Sequence, residues 1–316
     1  MLKRDFLKLG AGATLAGATM AAGRSAKAMD QDDSCSDTGF LFIHGSWHGA
    51  WCWQDVMRHL LQEGYQCQAI DLPGHGLWAI MPDAFLKRPV DKEALATEPS
   101  SLARLTIKDY RDTVIEAAMR ARQTGIKRLV AVGHSMGGVP LTFAAASQPE
   151  LFSDLVYVAS LGPTKGKPAG AYLALPDQVE NSLLGSALVG DPAQIGVLRI
   201  DPRSEDEGYL SAMKKALAAD VDHKLFGAVS HLLTPDAPAS IYADMTDFDS
   251  GFGRLNKRYI RAIHDKTLVP SAGAAFVDDL NANWPNNRTI MVDIASSHEV
   301  MFAQPRRLAE LLLEVV

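Results

Sequence analysis

Short apolar runs and amphipathic stretches alternate along most of this chain. The sequence predicts strands at 39–43, 65–70, 128–132, 155–160, 257–264 and 289–294, and those at 39–43, 128–132 and 155–160 are short apolar runs, which are typical of buried parallel strands. Between them, apolar residues at helical spacing predict helices at 53–63, 107–124, 139–147, 272–280 and 305–316. Strands that alternate with helices predict an α/β fold, in which helices cover both faces of a mostly parallel central sheet.

This alternation breaks in two places. Residues 77–106 carry several prolines and charges and predict a long extended loop, and a loop of that length inside a domain is usually functional or mobile. Residues 162–253 mix Pro/Gly-rich pieces with helical stretches at 207–219 and 224–233. We therefore expect one domain over 39–316, with a helical cap inserted at about 162–253.

The first residues have the layout of an export signal. A charged start is followed by a Gly- and Ala-rich apolar run at 9–22 and a small-x-small site at Ala26-Lys27-Ala28. Lys3-Arg4 resembles a twin-arginine signal in which lysine replaces the first arginine. We expect 1–28 to direct export to the periplasm or medium, followed by a flexible segment at 29–38. An uncleaved membrane anchor is the alternative, but the apolar run is short for a membrane span.

Composition narrows the classes of partner. The chain has 316 residues, of which 47% are hydrophobic and 22% charged, as in ordinary soluble globular proteins. Its net charge of −6 and its lack of a basic stripe argue against a nucleic-acid partner. The three cysteines, Cys35, Cys52 and Cys67, are too few for a disulfide scaffold and lack zinc-ligand spacing. We expect neither a metal nor a cofactor.

The strongest chemical signal is Gly133-His134-Ser135-Met136-Gly137-Gly138. It fits the G-x-S-x-G nucleophile elbow, in which a serine lies on a strained turn between a strand and a helix. The predicted strand at 128–132 and the predicted helix at 139–147 supply that context. Glycines on both sides of the serine leave room for the crossing backbone. The motif predicts Ser135 as a nucleophile.

A serine hydroxyl needs an adjacent base, and the base needs a third group to orient it. In chains with this elbow the acid and then the base follow the serine. We predict His298 as the base because it lies between the last strand and the last helix. Asp265, directly after the strand at 257–264, is the predicted acid. The competing residues lie in the cap, on a helix or within a strand, or end a strand beside Asp265: His223, His231, His264, Asp278, Asp279 and Asp293.

An oxyanion hole needs two backbone N–H groups. We expect one from Met136, the residue after the nucleophile, and one from Ser46 in the loop after the first strand. Trp47, His48 and Met301 are candidates for lining the substrate pocket, although ordinary core packing would equally place them inside. His44 and His48 are four residues apart, but no glutamate stands beside them as in a metal-binding helix, so we do not expect a metal there.

These motifs together resemble the α/β-hydrolase superfamily, and within it the plant methyl-ester esterase and hydroxynitrile lyase group with its bacterial relatives. The resemblance rests on five segments and covers most of the chain from Phe40: 44–51, 69–76, 133–138, 259–270 and 297–301. It is weak in the cap and absent from 77–101. It implies an α/β-hydrolase fold with the predicted triad.

Two departures separate the activities of that group. The lyases carry threonine where this chain has Gly45 and lysine where it has Glu299, and a carboxylate there would repel a leaving cyanide. The sequence therefore favours a serine hydrolase that cleaves a carboxylic ester of a small apolar molecule through an acyl-enzyme. The alternatives are a cofactor-free lyase or oxygenase, or a ligand-binding receptor, on the same fold.

Overall fold

The computed structural model describes residues 37–248 and 250–316. The predicted export signal at 1–28, Cys35 and nearly all of the predicted flexible segment at 29–38 lie outside the described residues. Cys52 and Cys67 are free thiols.

A parallel sheet forms the centre of the domain. Within the described ranges, the strands are β1 Thr38–Ile43, β2 Gln66–Ile70, β3 Arg128–His134, β4 Asp154–Val158, β5 Val197–Arg199, β6 Asp236–Pro238, β7 Asn256–Ala262 and β8 Ile290–Ile294. Six of them pair in the order β2-β1-β3-β4-β7-β8, and every neighbouring pair is parallel. The other two, β5 and β6, form a separate antiparallel pair.

Helices surround this sheet. In the described part of the chain, the α-helices are α1 Gln54–Gln62, α2 Asp83–Leu86, α3 Lys92–Thr97, α4 Ile107–Gln123, α5 Gly138–Ser147, α6 Gly170–Leu173, α7 Pro176–Asn181, α8 Pro192–Ile195, α9 Glu207–Leu217, α10 His223–Ser230, α11 Pro270–Asn283, α12 Val300–Ala303 and α13 Pro305–Leu313. The longest, α4, begins at a capping box in which Asp109 accepts the Thr106 backbone N–H at 2.8 Å. None of these helices is long and apolar enough to cross a membrane.

Successive strand side chains enter two different cores, as the strand pleat requires. Leu41 packs with the apolar faces of α4 and α11, whereas its neighbour Phe42 packs with α1 and α13 on the opposite face. Both strand residues are fully buried. The apolar runs at 39–43, 128–132 and 155–160 therefore correspond to central strands that are covered on both sides, whereas the edge strands β2 and β8 are partly exposed.

Two segments lie outside this regular alternation. Residues 77–106 are not the extended loop that the sequence predicts, because α2, α3 and short 3₁₀ turns occupy them and bury Phe85 and Leu95. Between β4 and β7 the chain forms α6 to α10 and the β5–β6 pair. The side chains of Arg199 and Asp236 join β5 to β6 through a fully buried bidentate ion pair, with N–O distances of 2.6 and 2.8 Å.

The sheet topology brings distant segments to one edge. Because β1 lies between β2 and β3, the strand order reverses at β1, and ligands in such sheets bind beyond the carboxyl ends of the strands at that switch point. The segments that follow β1, β3, β7 and β8 carry Ser46, Ser135, Asp265 and His298, respectively.

Candidate active site

The turn after β3 holds Ser135 in a strained backbone conformation. Its φ is 50°, a value that non-glycine residues rarely adopt, and it opens a 3₁₀ turn that leads into α5. A Cβ on Gly137 would lie 2.5 Å from the carbonyl oxygen of His44, so only glycine fits there. The Ser160 hydroxyl donates to the Ser135 carbonyl at 2.6 Å and stabilises the turn.

The structure brings the three residues of the predicted triad together. The Ser135 hydroxyl lies 2.9 Å from Nε2 of His298, and Nδ1 of His298 lies 2.6 Å from Oδ2 of Asp265. Because a carboxylate accepts only, Nδ1 carries a proton and Nε2 is free to accept the serine proton. The second oxygen of Asp265 accepts the backbone N–H groups of Thr267 and Leu268 at 2.7 and 2.9 Å.

These surroundings set the charge of each group. Burial alone would lower the pKa of His298, but the Asp265 carboxylate outweighs it and raises that pKa above the usual value. His134, on the strand before the nucleophile, donates from Nε2 to the His298 carbonyl at 3.0 Å. Burial lowers the pKa of His134 to about 3, so its ring is neutral and holds the base loop through a hydrogen bond.

The loop after β1 approaches the nucleophile closely. Burial lowers the pKa of His44 well below the usual value, and its neutral ring donates to the Gly45 carbonyl and accepts the Leu72 N–H, at 2.7 and 3.0 Å. A Cβ on Gly45 would lie 2.7 Å from the His134 ring and 2.9 Å from the Cβ of Ser135. The loop therefore needs glycine there, and the next residue, Ser46, shares a cavity wall with Ser135.

Trp47 connects this loop to the cap. Its φ of 65° is again unusual for a residue with a side chain. The Trp47 indole N–H donates to the Leu198 carbonyl at 2.8 Å, and its own carbonyl accepts the Thr234 N–H at 2.8 Å. Contacts with residues between β4 and β7 thus stabilise the conformation of the Ser46 loop.

A small cavity of about 40 Å³ opens beside Ser135. It is lined by Ser46, Trp47, Ser135, Leu161, Leu173, Leu184, Leu198, Tyr242, Thr267 and Leu268. This lining contains no charged side chain, and half of it is leucine. The Tyr242 hydroxyl hydrogen-bonds to the Ser46 side chain, which leaves the wall mainly apolar with a few hydroxyl groups.

The three residues proposed for the pocket lie in different places. Trp47 lines the cavity beside Ser135. His48 is 2% exposed and points instead at Glu299, at a distance of 3.2 Å, because its other nitrogen is bound by the Ser46 carbonyl. Met301 is fully buried in the core on the α1 and α13 face of the sheet. Glu299 likewise faces His48 rather than the cavity.

Several lining residues were not identified from the sequence. Thr267 and Leu268 follow Asp265 directly, so their position after β7 could have indicated them. Leu198 and Tyr242 belong to the irregular region between β4 and β7, where no periodic pattern indicates which side chains face inward. Among the described residues, no group of three or more His, Cys, Asp or Glu side chains is placed to hold a metal ion.

Comparison with known sequences identifies the family of the chain. The model of the "Alpha/beta hydrolase family" matches residues 40–311. Methylesterase 4 of Arabidopsis thaliana is 23% identical over 287 residues, which cover 87% of this chain and 95% of the relative. Probable esterase PIR7A of Oryza sativa is 32% identical over 134 residues, 42% of this chain and 43% of the relative. These names support ester hydrolysis in general.

Solved structures share the fold. A pyrethroid hydrolase from Sphingobium faniae superposes with a TM-score of 0.67 at 17% identity, over 88% of this chain and 96% of that structure. Polyneuridine aldehyde esterase superposes with a TM-score of 0.63 at 20% identity, over 88% and 99%. With its parallel sheet, its surrounding helices and a family match over most of its length, the chain belongs to the alpha/beta hydrolase family.

Proposed function

We propose that this protein is a serine hydrolase that cleaves carboxylic esters of small apolar molecules through an acyl-enzyme. The observation that carries the proposal is the position of His298, whose two ring nitrogens contact Ser135 and Asp265 at the edge of a cavity. This is the arrangement that activates a hydroxyl group for attack on a carbonyl carbon.

In the acylation step, Nε2 of His298 takes the proton of Ser135 as the serine oxygen bonds to the ester carbonyl carbon. The electron pair of the carbonyl bond moves to oxygen, and the backbone N–H groups of Ser46 and Met136 stabilise that negative charge. Asp265 stabilises the imidazolium that forms. The bond to the alcohol oxygen then breaks, and His298 returns its proton to the leaving alcohol.

In the deacylation step, a water molecule replaces the alcohol. His298 takes a proton from the water, whose oxygen bonds to the acyl carbon. The tetrahedral intermediate expels the serine oxygen, which recovers a proton from His298, and the acid leaves. Each proton that His298 accepts is returned within the same step, so the reaction needs only groups of this chain, ester and water.

The cavity lining supports an uncharged substrate. Burying a charged group against leucine side chains without a partner costs several kcal/mol, on the order of a thousandfold or more in binding. The lining supplies hydroxyl groups from Ser46, Tyr242 and Thr267 but no cation. The names methylesterase and pyrethroid hydrolase among the similar proteins fit an ester with apolar parts.

The test compares Ser135→Ala with wild type on p-nitrophenyl esters of increasing acyl length. We expect kcat to fall by about 10⁴-fold, with a small remainder from the oxyanion hole. Ser147→Ala is the matched control because Ser147 is exposed at the end of α5, and it should keep full activity. Mass spectrometry should find the acyl adduct of a slow substrate on Ser135. Full turnover by Ser135→Ala would refute the proposal.

A further inference from the structure

The base loop and the Ser46 loop meet at two buried side chains that the proposed reaction does not use. His48 and Glu299 are 2% and 4% exposed, and Nε2 of His48 lies 3.2 Å from Oε2 of Glu299. Neither atom has a hydrogen-bond partner among the described residues, and their contact is an ion-pair distance without hydrogen-bond alignment. Buried polar atoms are seldom left in this way, so the contact calls for an explanation.

The hydrogen bonds determine where the protons are. Nδ1 of His48 lies 2.6 Å from the carbonyl oxygen of Ser46, and since a carbonyl only accepts, Nδ1 carries a proton. In a neutral ring Nε2 would then be an acceptor, facing the carboxylate of Glu299 without a proton between them. Two acceptors facing each other at 3.2 Å would repel, so the contact is favourable with one further proton between the two atoms, as in an ion pair of imidazolium and carboxylate.

The apolar surroundings of His48 and Glu299 strengthen the interaction between the two charges. Aromatic rings pack around His48, with the Trp51 centroid 5.6 Å away and the Phe302 centroid 5.9 Å away. Leu217 and Phe226 line the small apolar cavity beside the pair. Water does not screen the pair there, so each charge depends on the other. Burial would raise the pKa of Glu299, but His48 outweighs it and lowers that pKa to about 2.

The pair connects the two loops of the site. His48 binds the carbonyl of Ser46, whose own N–H is the proposed oxyanion donor. Glu299 follows the base His298 directly in the chain, and its N–H donates to the Leu217 carbonyl at 3.2 Å. A shift of either side chain would therefore move a donor or the base.

We propose that His48 and Glu299 are a positioning pair, which holds the oxyanion loop against the base loop and keeps a compensated charge beside His298. This inference rests on the proposed function for its effect on catalysis. Neither residue touches the substrate, since the cavity lining beside Ser135 includes neither of them. Their effect passes through Ser46 and His298.

Other titratable groups face His298 or the pair and stay unchanged in the variants below. Burial keeps the thiol of Cys52 and the ring of His134 neutral. Asp265 binds the base directly, and Asp220 accepts the N–H of Ser297 at 3.0 Å. From the cap side, the ammonium group of Lys214 donates to backbone carbonyls at the end of α9. A change in the pH profile of these variants can therefore be assigned to the His48–Glu299 pair rather than to the other titratable groups.

The test uses His48→Gln, Glu299→Gln and the double variant, with kcat/KM measured against pH. His48→Gln removes the positive charge while the amide can still donate to Glu299, so the carboxylate beside His298 stays charged and uncompensated; the acid limb of the pH profile should move up by about one pH unit, and kcat/KM on the acid side of that limb should fall by about tenfold. The double variant removes both charges, and its acid limb should return to the wild-type position. His223→Gln and Glu180→Gln, at exposed positions, are the controls and should change neither quantity.

If the pair had only a structural role, the acid limb of the pH profile would not return to its wild-type position in the double variant. An unmoved limb in His48→Gln, or a shifted limb that persists in the double variant, would overturn the inference. Urea unfolding of the same variants needs no activity, and there the double variant should lose less stability than the two single losses combined. If Ser135→Ala keeps its activity, the proposed function fails, and this unfolding cycle still tests the pair: additive losses would overturn it.

Discussion

The fully buried ion pair between Arg199 and Asp236 predicts a large effect of a single substitution on stability. Arg199 donates twice to the Asp236 carboxylate, and its remaining amino group donates to the carbonyls of Leu95 and Glu98 at 2.6 and 2.8 Å. One guanidinium thus joins the β5–β6 pair to the segment around α3. Arg199→Met keeps much of the apolar stem and removes all four hydrogen bonds.

The size of the expected stability loss follows from the groups that Arg199→Met leaves without hydrogen-bond partners. The two Asp236 bonds involve charged groups, which contribute about 1.5–3 kcal/mol each, and breaking a buried pair costs about 3–5 kcal/mol. The Glu98 carbonyl is partly exposed and recovers part of its loss from water, whereas the Leu95 carbonyl is buried. We expect a loss of about 4 kcal/mol, or a Tm lower by about 8 °C for a domain of this size.

Urea and thermal unfolding, followed by circular dichroism, measure this loss. Arg199→Met/Asp236→Leu should recover most of it, because no buried charge then remains unpaired. Arg306→Met is the control: its side chain is 81% exposed and pairs with Glu310 on the surface, so it should change stability by less than about 0.5 kcal/mol. A loss below about 1 kcal/mol in Arg199→Met, or a further loss in the double variant, would refute the reasoning.

Three further predictions concern the site itself. Asp265→Asn should lower kcat on p-nitrophenyl esters by about 10⁴-fold with little change in KM, because the amide favours the wrong tautomer of His298; a tenfold loss or less would contradict that role. Gly45→Ala should lower kcat/KM by about 10- to 100-fold, since its Cβ would lie 2.7 Å from the His134 ring, and unchanged kinetics would show that the loop tolerates a side chain. Burial lowers the pKa of His75 to about 4 and that of His134 to about 3, so the unfolded chain binds more protons below pH 6.5. Stability measured by urea unfolding should therefore fall as the pH falls from 6.5 to 5, by about 1.6 kcal/mol for each ring, and a constant value would exclude neutral buried rings.

The sheet and its helices could be predicted from the sequence because their patterns are long. The apolar run at 128–132 and the helical spacing at 107–124 correspond to β3 and α4 within a few residues. The segment at 77–106 was wrongly predicted to be extended, since helices as short as α2 have too few residues to show a period. The three-residue strands β5 and β6 were not predicted from the sequence for the same reason.

The candidate triad could be predicted because each member follows a strand of one parallel sheet, and chain order then selects among the histidines and aspartates. Side-chain direction could not be predicted in this way. His48 stands four residues after His44 in a glycine-containing loop, and nothing in that spacing shows that its ring faces Glu299 rather than the cavity. Pairing between loops depends on packing that arises only when the sheet has formed.

The strand order also has a consequence for how the protein acquires its activity. Ser46 follows the second strand from one edge of the sheet, whereas the base follows β8, the strand at the opposite edge. The contact between Ser135 and His298 and the contact between the Ser46 loop and the base loop therefore close long loops of chain, and contacts of that kind form slowly during folding. Helices such as α4 can form from local contacts, but hydrolysis has to wait until β8 has joined β7. Enzymatic activity therefore indicates that the sheet is complete, and partly folded chains with abundant helix should show no activity in an ester assay.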